Sequence, residues 1–139
     1  MTEWNVSEWN ERNRKTIEEF RANDGNVGGR PLLLLTTTGA KSGKRHTTPL
    51  MYLADGDRLA IFASKGGNPA HPDWYHNLVA TPTVTLEVGA ERYEARAVVL
   101  EGAERDRVYA EQAKNFPQFG EYETRTTRRI PVVALERLP

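Results

Sequence analysis

The sequence predicts an α+β, mainly β fold: a small barrel of antiparallel strands with helices packed on it. Short apolar or alternating runs are joined by turn residues, Asp55-Gly56-Asp57 in one place and Gly89-Ala90 in another, and such pairs read as hairpins. Helices do not alternate with strands along the chain, which disfavours a doubly wound parallel sheet. Closing the sheet on itself removes its exposed edges. The 139 residues suit one domain with a single core, spanning 1–139, with a helix inside 1–25 and the barrel over 30–139.

The elements follow in order. "EWNERNRKTIEEFRANDG" is an amphipathic helix, with Asn5 as its cap, Glu8 three residues on, and Gly25 at its end. Its apolar face (Trp9, Ile17, Phe20) is thin, so it is expected to lie on a larger body. "PLLLLTT" has the length of a buried strand. "TTPLMYLA" and "RLAIFAS" form a first hairpin. "HPDWYHNLVA" is a short helix with Pro72 in its first turn, Trp74 and Leu78 on one face, and Thr81-Pro82 ending it. "TVTLEV" and "ERYEARAVVLE" form a second hairpin. "GAERDRVYAEQAKNF" is helical, with Val108, Tyr109, Gln112 and Phe116 along one side. "PQFGEYETRTTRR" mixes helix and turn signals, and "IPVVALERL" is a final strand.

Composition excludes several functions. There is no cysteine, so disulfides and thiolate chemistry are out. The 19 basic and 19 acidic residues balance, which argues against nucleic acid or an anionic membrane as partner. The polar, acidic start does not read as a signal peptide, and no apolar run approaches a membrane span. A cytoplasmic protein is expected, with membrane association disfavoured by the acidic first helix.

"TTTGAKSGKRHTTPL" invites comparison with a phosphate-binding P-loop. That pattern needs four residues between its glycines and a helix after them. Gly39 and Gly43 enclose only three, Arg45 follows Lys44, and a strand comes next, so the P-loop fails. The loop still gathers Lys41, Lys44, Arg45 and His46 with the hydroxyls of Ser42, Thr47 and Thr48, and its glycines let an anion approach backbone N–H groups. Spacing alone serves a solvated hairpin loop equally well.

"FASKGGNPAHPDWYHN" is a second candidate: a strand end at Ser64, then Lys65, Gly66-Gly67 and a helix start, a place where a ligand meets backbone donors. Trp74 could wall a flat ligand there, but such a residue is more often core. The histidines lack metal-ligand spacing, so no metal is expected. In "NFPQFGEYETRTTRR", Phe116, Phe119 and Tyr122 recur as an aromatic lid or as core contacts. Arg125, Arg128 and Arg129 read as a solvated face or as steering for an anionic tail.

Taken in order and spacing, "LLLLTTTGAKSGKRHTTPLMYL", "ASKGGNPAHPDWYHNL" and "IPVVALER" resemble the deazaflavin-dependent nitroreductase and quinone reductase family, which uses coenzyme F420. The resemblance runs from about Arg30 to Leu138. It implies a split β-barrel related to FMN-binding flavoproteins. It places the phosphate and tail of the cofactor on Lys41, Ser42, Gly43, Lys44, His46, Thr48 and Pro49. The ring would lie beside Ala63, Ser64, Lys65 and Gly66, with the helix carrying Trp74, Tyr75 and Asn77 closing the groove. Met51, Phe119 and Tyr122 would line the substrate pocket, and Tyr122 or Ser64 would donate a proton or position the substrate.

The family often has Arg at the place of Ala40 and Pro-Arg at the place of Arg45-His46, so a basic residue is displaced here. Some members carry a pocket tyrosine where this chain has Met51, and neighbouring Tyr52 faces the other side of its strand. The implied activity is hydride transfer from reduced deazaflavin to a small organic electron acceptor such as a quinone, nitroaromatic or activated enone. The alternatives are an FMN-binding flavoprotein and a non-catalytic deazaflavin carrier. The sequence does not give the oligomeric state; related split barrels often pair through barrel strands, which makes a homodimer one option.

Overall fold

The computed structural model describes residues 6–67 and 70–139. The elements run α1 (Val6–Ala22), β1 (Leu32–Thr38), β2 (Arg45–Met51), β3 (Leu53–Asp55), β4 (Arg58–Phe62), a single 3-10 turn (Lys65–Gly67), α2 (Asp73–Ala80), β5 (Thr83–Val88), β6 (Glu91–Leu100), α3 (Gly102–Asn115), α4 (Gln118–Arg125) and β7 (Val132–Arg137). The expected cap Asn5 lies outside the described residues.

All seven strands join one sheet in the order β2-β1-β5-β6-β7-β4-β3, with every neighbouring pair antiparallel. The two ends of that order, β2 and β3, are separated in the chain by Tyr52 alone. The sheet therefore curls until one stretch of chain serves both of its edges, giving the expected antiparallel barrel with packed helices. This also explains a difference from expectation. The strand expected over "TTPLMYLA" is split, because Met51 is the last residue paired with β1 and Leu53 the first paired with β4. At the junction the Tyr52 N–H donates to the Pro31 carbonyl at 3.0 Å.

Four consecutive leucines form β1 because both of its faces are buried. Side chains alternate along a strand. Leu33 and Leu35 enter the barrel interior with Ile61, Leu86, Val133 and Leu135. Leu32 and Leu34 face outward and are covered by Phe20 and Val27. The far side repeats the pattern: Phe62 and Val132 face outward against Val108, Tyr109 and Phe119 of α3 and α4.

Polar contacts hold the helices at these faces. Arg21 of α1 grips Glu87 of β5 through two hydrogen bonds of 3.0 and 2.9 Å. Just beyond α1, Gly25 (φ 88°) approaches Gly89 so closely that a Cβ there would lie 2.7 Å from the Gly89 Cα, so only glycine fits. Buried Arg105 donates twice to the Ile130 carbonyl (3.1 and 2.7 Å), and the Tyr109 hydroxyl donates to the Phe119 carbonyl at 2.6 Å. Desolvation raises the Tyr109 pKa well above its ordinary value, so this hydroxyl stays a donor.

Leu34→Ala and Leu35→Ala should each cost about 2–5 kcal/mol in denaturant unfolding, since each empties a packed site. Tolerance of either change would contradict burial on both faces of β1.

Candidate functional site

Strand register brings the candidate segments to one rim. Thr38, at the end of β1, pairs with Arg45 at the start of β2. β1 also runs antiparallel to β5, which puts the start of β5 at the same end. β5 pairs with β6 from Thr83, and β6 and β4 both end opposite Val132 of β7. The loop 39–44, the segment following Phe62, and α2 leading into β5 therefore share this rim.

The loop 39–44 is a tight hairpin connection. Gly39 N–H donates to the Lys44 carbonyl at 2.7 Å, Gly43 N–H to the Gly39 carbonyl at 2.9 Å, and Lys44 N–H to Ser42 Oγ at 3.2 Å. A strand follows it, so no helix terminus points at the loop. Asn77 ties it to α2: its Oδ1 accepts from Ala40 N–H at 2.9 Å, and its Nδ2 donates to Thr37 Oγ1 at 3.1 Å. Asn77 is buried, so its contribution to the rim is to fix the loop on the helix.

Lys41, Ser42, Gly43, Lys44 and His46 are exposed, while Thr48 and Pro49 are half-buried on β2 opposite Leu35 and Leu34. Arg45 lies back over the sheet, donating to the hydroxyls of Thr38 (3.0 Å) and Thr85 (2.7 Å). Both partners are neutral, so its positive charge remains at the rim. Among the described residues, every ion pair lies elsewhere, and none includes Lys41, Lys44, Arg45 or Lys65. A chain of zero net charge has thus left several cations without carboxylates at one place.

The second segment begins where β4 ends. Ala63 is fully buried, its N–H donating to the Pro131 carbonyl at 2.9 Å, and Ser64 is buried too. Lys65 adopts a left-handed φ of 46°, unusual for a residue with a side chain. The turn closes with Gly67 N–H on the Ser64 carbonyl at 2.9 Å. Gly67 (φ 80°) packs under α4, where a Cβ would meet Arg125 Cβ at 2.8 Å and the Tyr122 carbonyl at 3.1 Å. This contact seats Tyr122, half-buried, beside the turn that follows Ser64.

Arg128 takes a place at this rim that its sequence context does not single out. From the coil before β7, its Nη1 donates to the Ala63 carbonyl (3.0 Å) and its Nη2 to the Ser64 carbonyl (2.8 Å). Nη1 also lies 3.0 Å from His71 Nδ1. A guanidinium can only donate, so Nδ1 accepts and the ring proton sits on Nε2. Desolvation first, then the charges of Arg128 and His76, hold the His71 pKa below its ordinary value, which keeps that acceptor available. The partners lie 64 and 65 positions apart in the chain, and the run Arg-Thr-Thr-Arg-Arg reads in sequence as a solvated face or as steering for an anionic tail.

Two candidates prove to be core. Trp74 is 6% exposed and, with Leu78, plugs the barrel interior, so a ligand meets little of it. Phe119 is 5% exposed, with Phe62 at 5.6 Å and Tyr122 at 5.1 Å ring to ring, so it supports Tyr122 from below. Tyr75 is half-buried and packs on the His71 ring at 4.9 Å. Met51 packs against both outer clusters, while Tyr52 packs against the interior one, as their adjacency on the strand requires.

The rim offers a definite chemistry. Among the described residues, the N–H groups of Ser64 and Lys65 donate no hydrogen bond, and neither do those of Lys41 and Ser42. A buried backbone donor needs an acceptor, which bears on Ser64, while the N–H groups of exposed Lys41 and Ser42 are open to solvent or to an anion. The arrangement fits a flat ring with acceptor atoms along one edge, set against residues 63–65, and an anionic extension reaching the loop 39–44.

The sequence model of the F420H(2)-dependent quinone reductases matches residues 12–137. An F420H(2)-dependent quinone reductase of Mycobacterium tuberculosis is 40% identical, over 95% of this chain and 98% of its own. A solved F420-H2-dependent reductase is 44% identical with a TM-score of 0.70, covering 77% of this chain and 95% of its own. A further solved structure, described only as a domain-swapped dimer, is 40% identical with a TM-score of 0.73, covering 95% of this chain and 100% of its own. At the level of fold alone, the heme storage protein HutZ of Vibrio cholerae superposes with a TM-score of 0.61 at 16% identity, over 90% of this chain and 89% of its own.

Asn77→Ala should lower stability by about 1–3 kcal/mol, because it strands the Ala40 N–H and the Thr37 hydroxyl. It should also speed amide exchange at Ala40. Unchanged exchange would mean that the loop is held by its own turn.

Proposed function

The chain belongs to the F420H(2)-dependent quinone reductase family and is an F420-dependent reductase, and from that premise we propose that its acceptor is a quinone reduced at the rim formed by the loop 39–44, residues 63–67 and α4. One observation supports that placement: among the described residues, cations outside any ion pair and backbone N–H groups that donate to nothing coincide at that rim. When bound, reduced deazaflavin supplies the hydride. A quinone reduced by two electrons takes up that hydride and one proton.

The chain's own residues bind and orient. Lys41, Lys44 and Ser42, with the N–H groups of the loop, hold the phosphate and the anionic tail. Gly43 lets the loop turn, His46 stands beside Gly39, and Thr48-Pro49 forms the floor on β2. Ser64 and Lys65 present their N–H groups to the ring edge, with Ala63 and Gly66 as the backbone it lies against. Tyr75 closes the groove, and Asn77 and Trp74 act from behind it. Tyr122 and Ser64 flank the acceptor, Tyr122 delivering the proton from its hydroxyl, whereas Met51, at the far end of β2 from Arg45, lies away from this rim. The barrel over 30–139 is the binding unit. No described helix is long and apolar enough to cross a membrane. The swapped dimer among its relatives supports a homodimer here, and sedimentation at the single-chain mass would contradict that.

Titration with oxidised coenzyme F420 and with FMN tests the reading, followed by oxidation of the reduced deazaflavin by menadione, a nitroaromatic and an enone. Micromolar binding of the deazaflavin, weaker binding of FMN and fastest turnover with menadione are expected. Faster reduction of the nitroaromatic or the enone would overturn the quinone assignment. Lys41→Glu with Lys44→Glu should weaken deazaflavin binding about tenfold or more, most at low salt, as for any exposed charge contact. An unchanged dissociation constant would remove the tail from this loop.

A further inference from the structure

The Arg128 guanidinium bonds the carbonyls of two consecutive peptide groups, Ala63–Ser64 and Ser64–Lys65. The N–H groups of those same two peptides belong to Ser64 and Lys65, which donate to nothing among the described residues. No peptide among the described residues is cis, so each N–H points away from its own carbonyl. Successive carbonyls normally alternate in direction along an extended strand. Here both meet one guanidinium, so both N–H groups point to the opposite side. The left-handed φ of Lys65, 46°, belongs to the conformation in which successive N–H groups form an anion-binding concavity.

We propose that Arg128 is a positioning residue: it aims and polarises the Ser64 and Lys65 N–H groups as a donor pair for the electron-rich edge of the ring. A charged donor on a carbonyl draws electron density through the amide and makes its N–H a stronger donor. The guanidinium itself stays behind the backbone. His71 accepts from Nη1 on one side and fixes the plane of the fork. The backbone at this point has no strand partner beyond Ala63, whose N–H bonds Pro131. Arg128 thus ties the next two peptides together, with the Ser64 carbonyl also accepting from Gly67 N–H. Arg125 and Arg129, close by in sequence, pair with Glu121 and Asp106 and do not share this role.

The inference rests on the reading that this rim holds a deazaflavin, and its test separates the two. The full chain and its Arg128→Met and Arg128→Lys variants are compared in two measurements. The first is the amide proton shifts of Ser64 and Lys65 without cofactor. The second is the dissociation constants for coenzyme F420 and for its ring fragment without phosphate and tail. In Arg128→Met both amides should move upfield. Both ligands should bind more weakly by the same factor, about tenfold or more, as expected for loss of a charge-assisted contact. Arg128→Lys keeps a charge but not the fork, so it should fall between the other two. If Arg128→Met does not fold, the same shifts and affinities are read in Arg128→Lys.

Unchanged amide shifts in a folded variant would overturn the proposal. So would a loss confined to the tailed cofactor, because Arg128 would then be acting on the tail. Shifted amides with unchanged affinities would also overturn it. Failure of the unaltered chain to bind either ligand would sink the proposed function, and the amide shifts would still decide whether Arg128 polarises these peptides.

Discussion

The site depends on the closure of a single antiparallel sheet. β2 and β3 form one stretch of chain interrupted only at Tyr52, and they serve as the two edges of the curled sheet. Once that stretch is committed to both edges, the strand registers are fixed in turn. The ends of β1, β4 and β6 then lie at one rim with the starts of β2, β5 and β7. The interior leucines and valines stabilise this closure, and a one-residue slip would turn each of them to the wrong face. Segments about 25 residues apart in sequence, the loop 39–44 and the turn 65–67, come to lie at one rim through sheet geometry.

On that frame the chemistry is mostly backbone and charge. A protein of zero net charge concentrates cations without carboxylates at the rim, so attraction for an anion is local. The neighbouring donors are peptide N–H groups fixed in place, which need no reorganisation when charge develops near them. Loop and helix cannot drift apart, because Asn77 bonds to both Thr37 and Ala40. Arg128 does the same for the strand end beyond β4.

Much of this was legible in the sequence. "TVTLEV" is β5 residue for residue, since alternation and flanking turn signals agree there. The loop 39–44 and the segment from Ser64 stood out because glycines beside lysines at strand ends are local patterns. Other features depend on tertiary structure. The leucine run says that β1 is buried, but not that α1 covers one face and the barrel the other. Trp74 fits a ligand wall or a core plug equally well in sequence, and only the direction of α2 decides. Phe119 recurs with Phe116 and Tyr122 at a spacing that a lid and a core helix share. In sequence Arg128 fits a solvated face or steering for an anionic tail, because its partners are backbone carbonyls, which carry no residue identity to recognise.

The central claim is that the ring edge meets the N–H groups of Ser64 and Lys65. The most direct measurement is a backbone amide titration of the isotope-labelled chain with oxidised coenzyme F420. The account predicts that Ser64 and Lys65 show the largest downfield shifts, with Lys41 and Ser42 moving as the tail engages. Shifts concentrated at the opposite rim, around Asp55 and Arg58, with Ser64 and Lys65 unmoved, would contradict it.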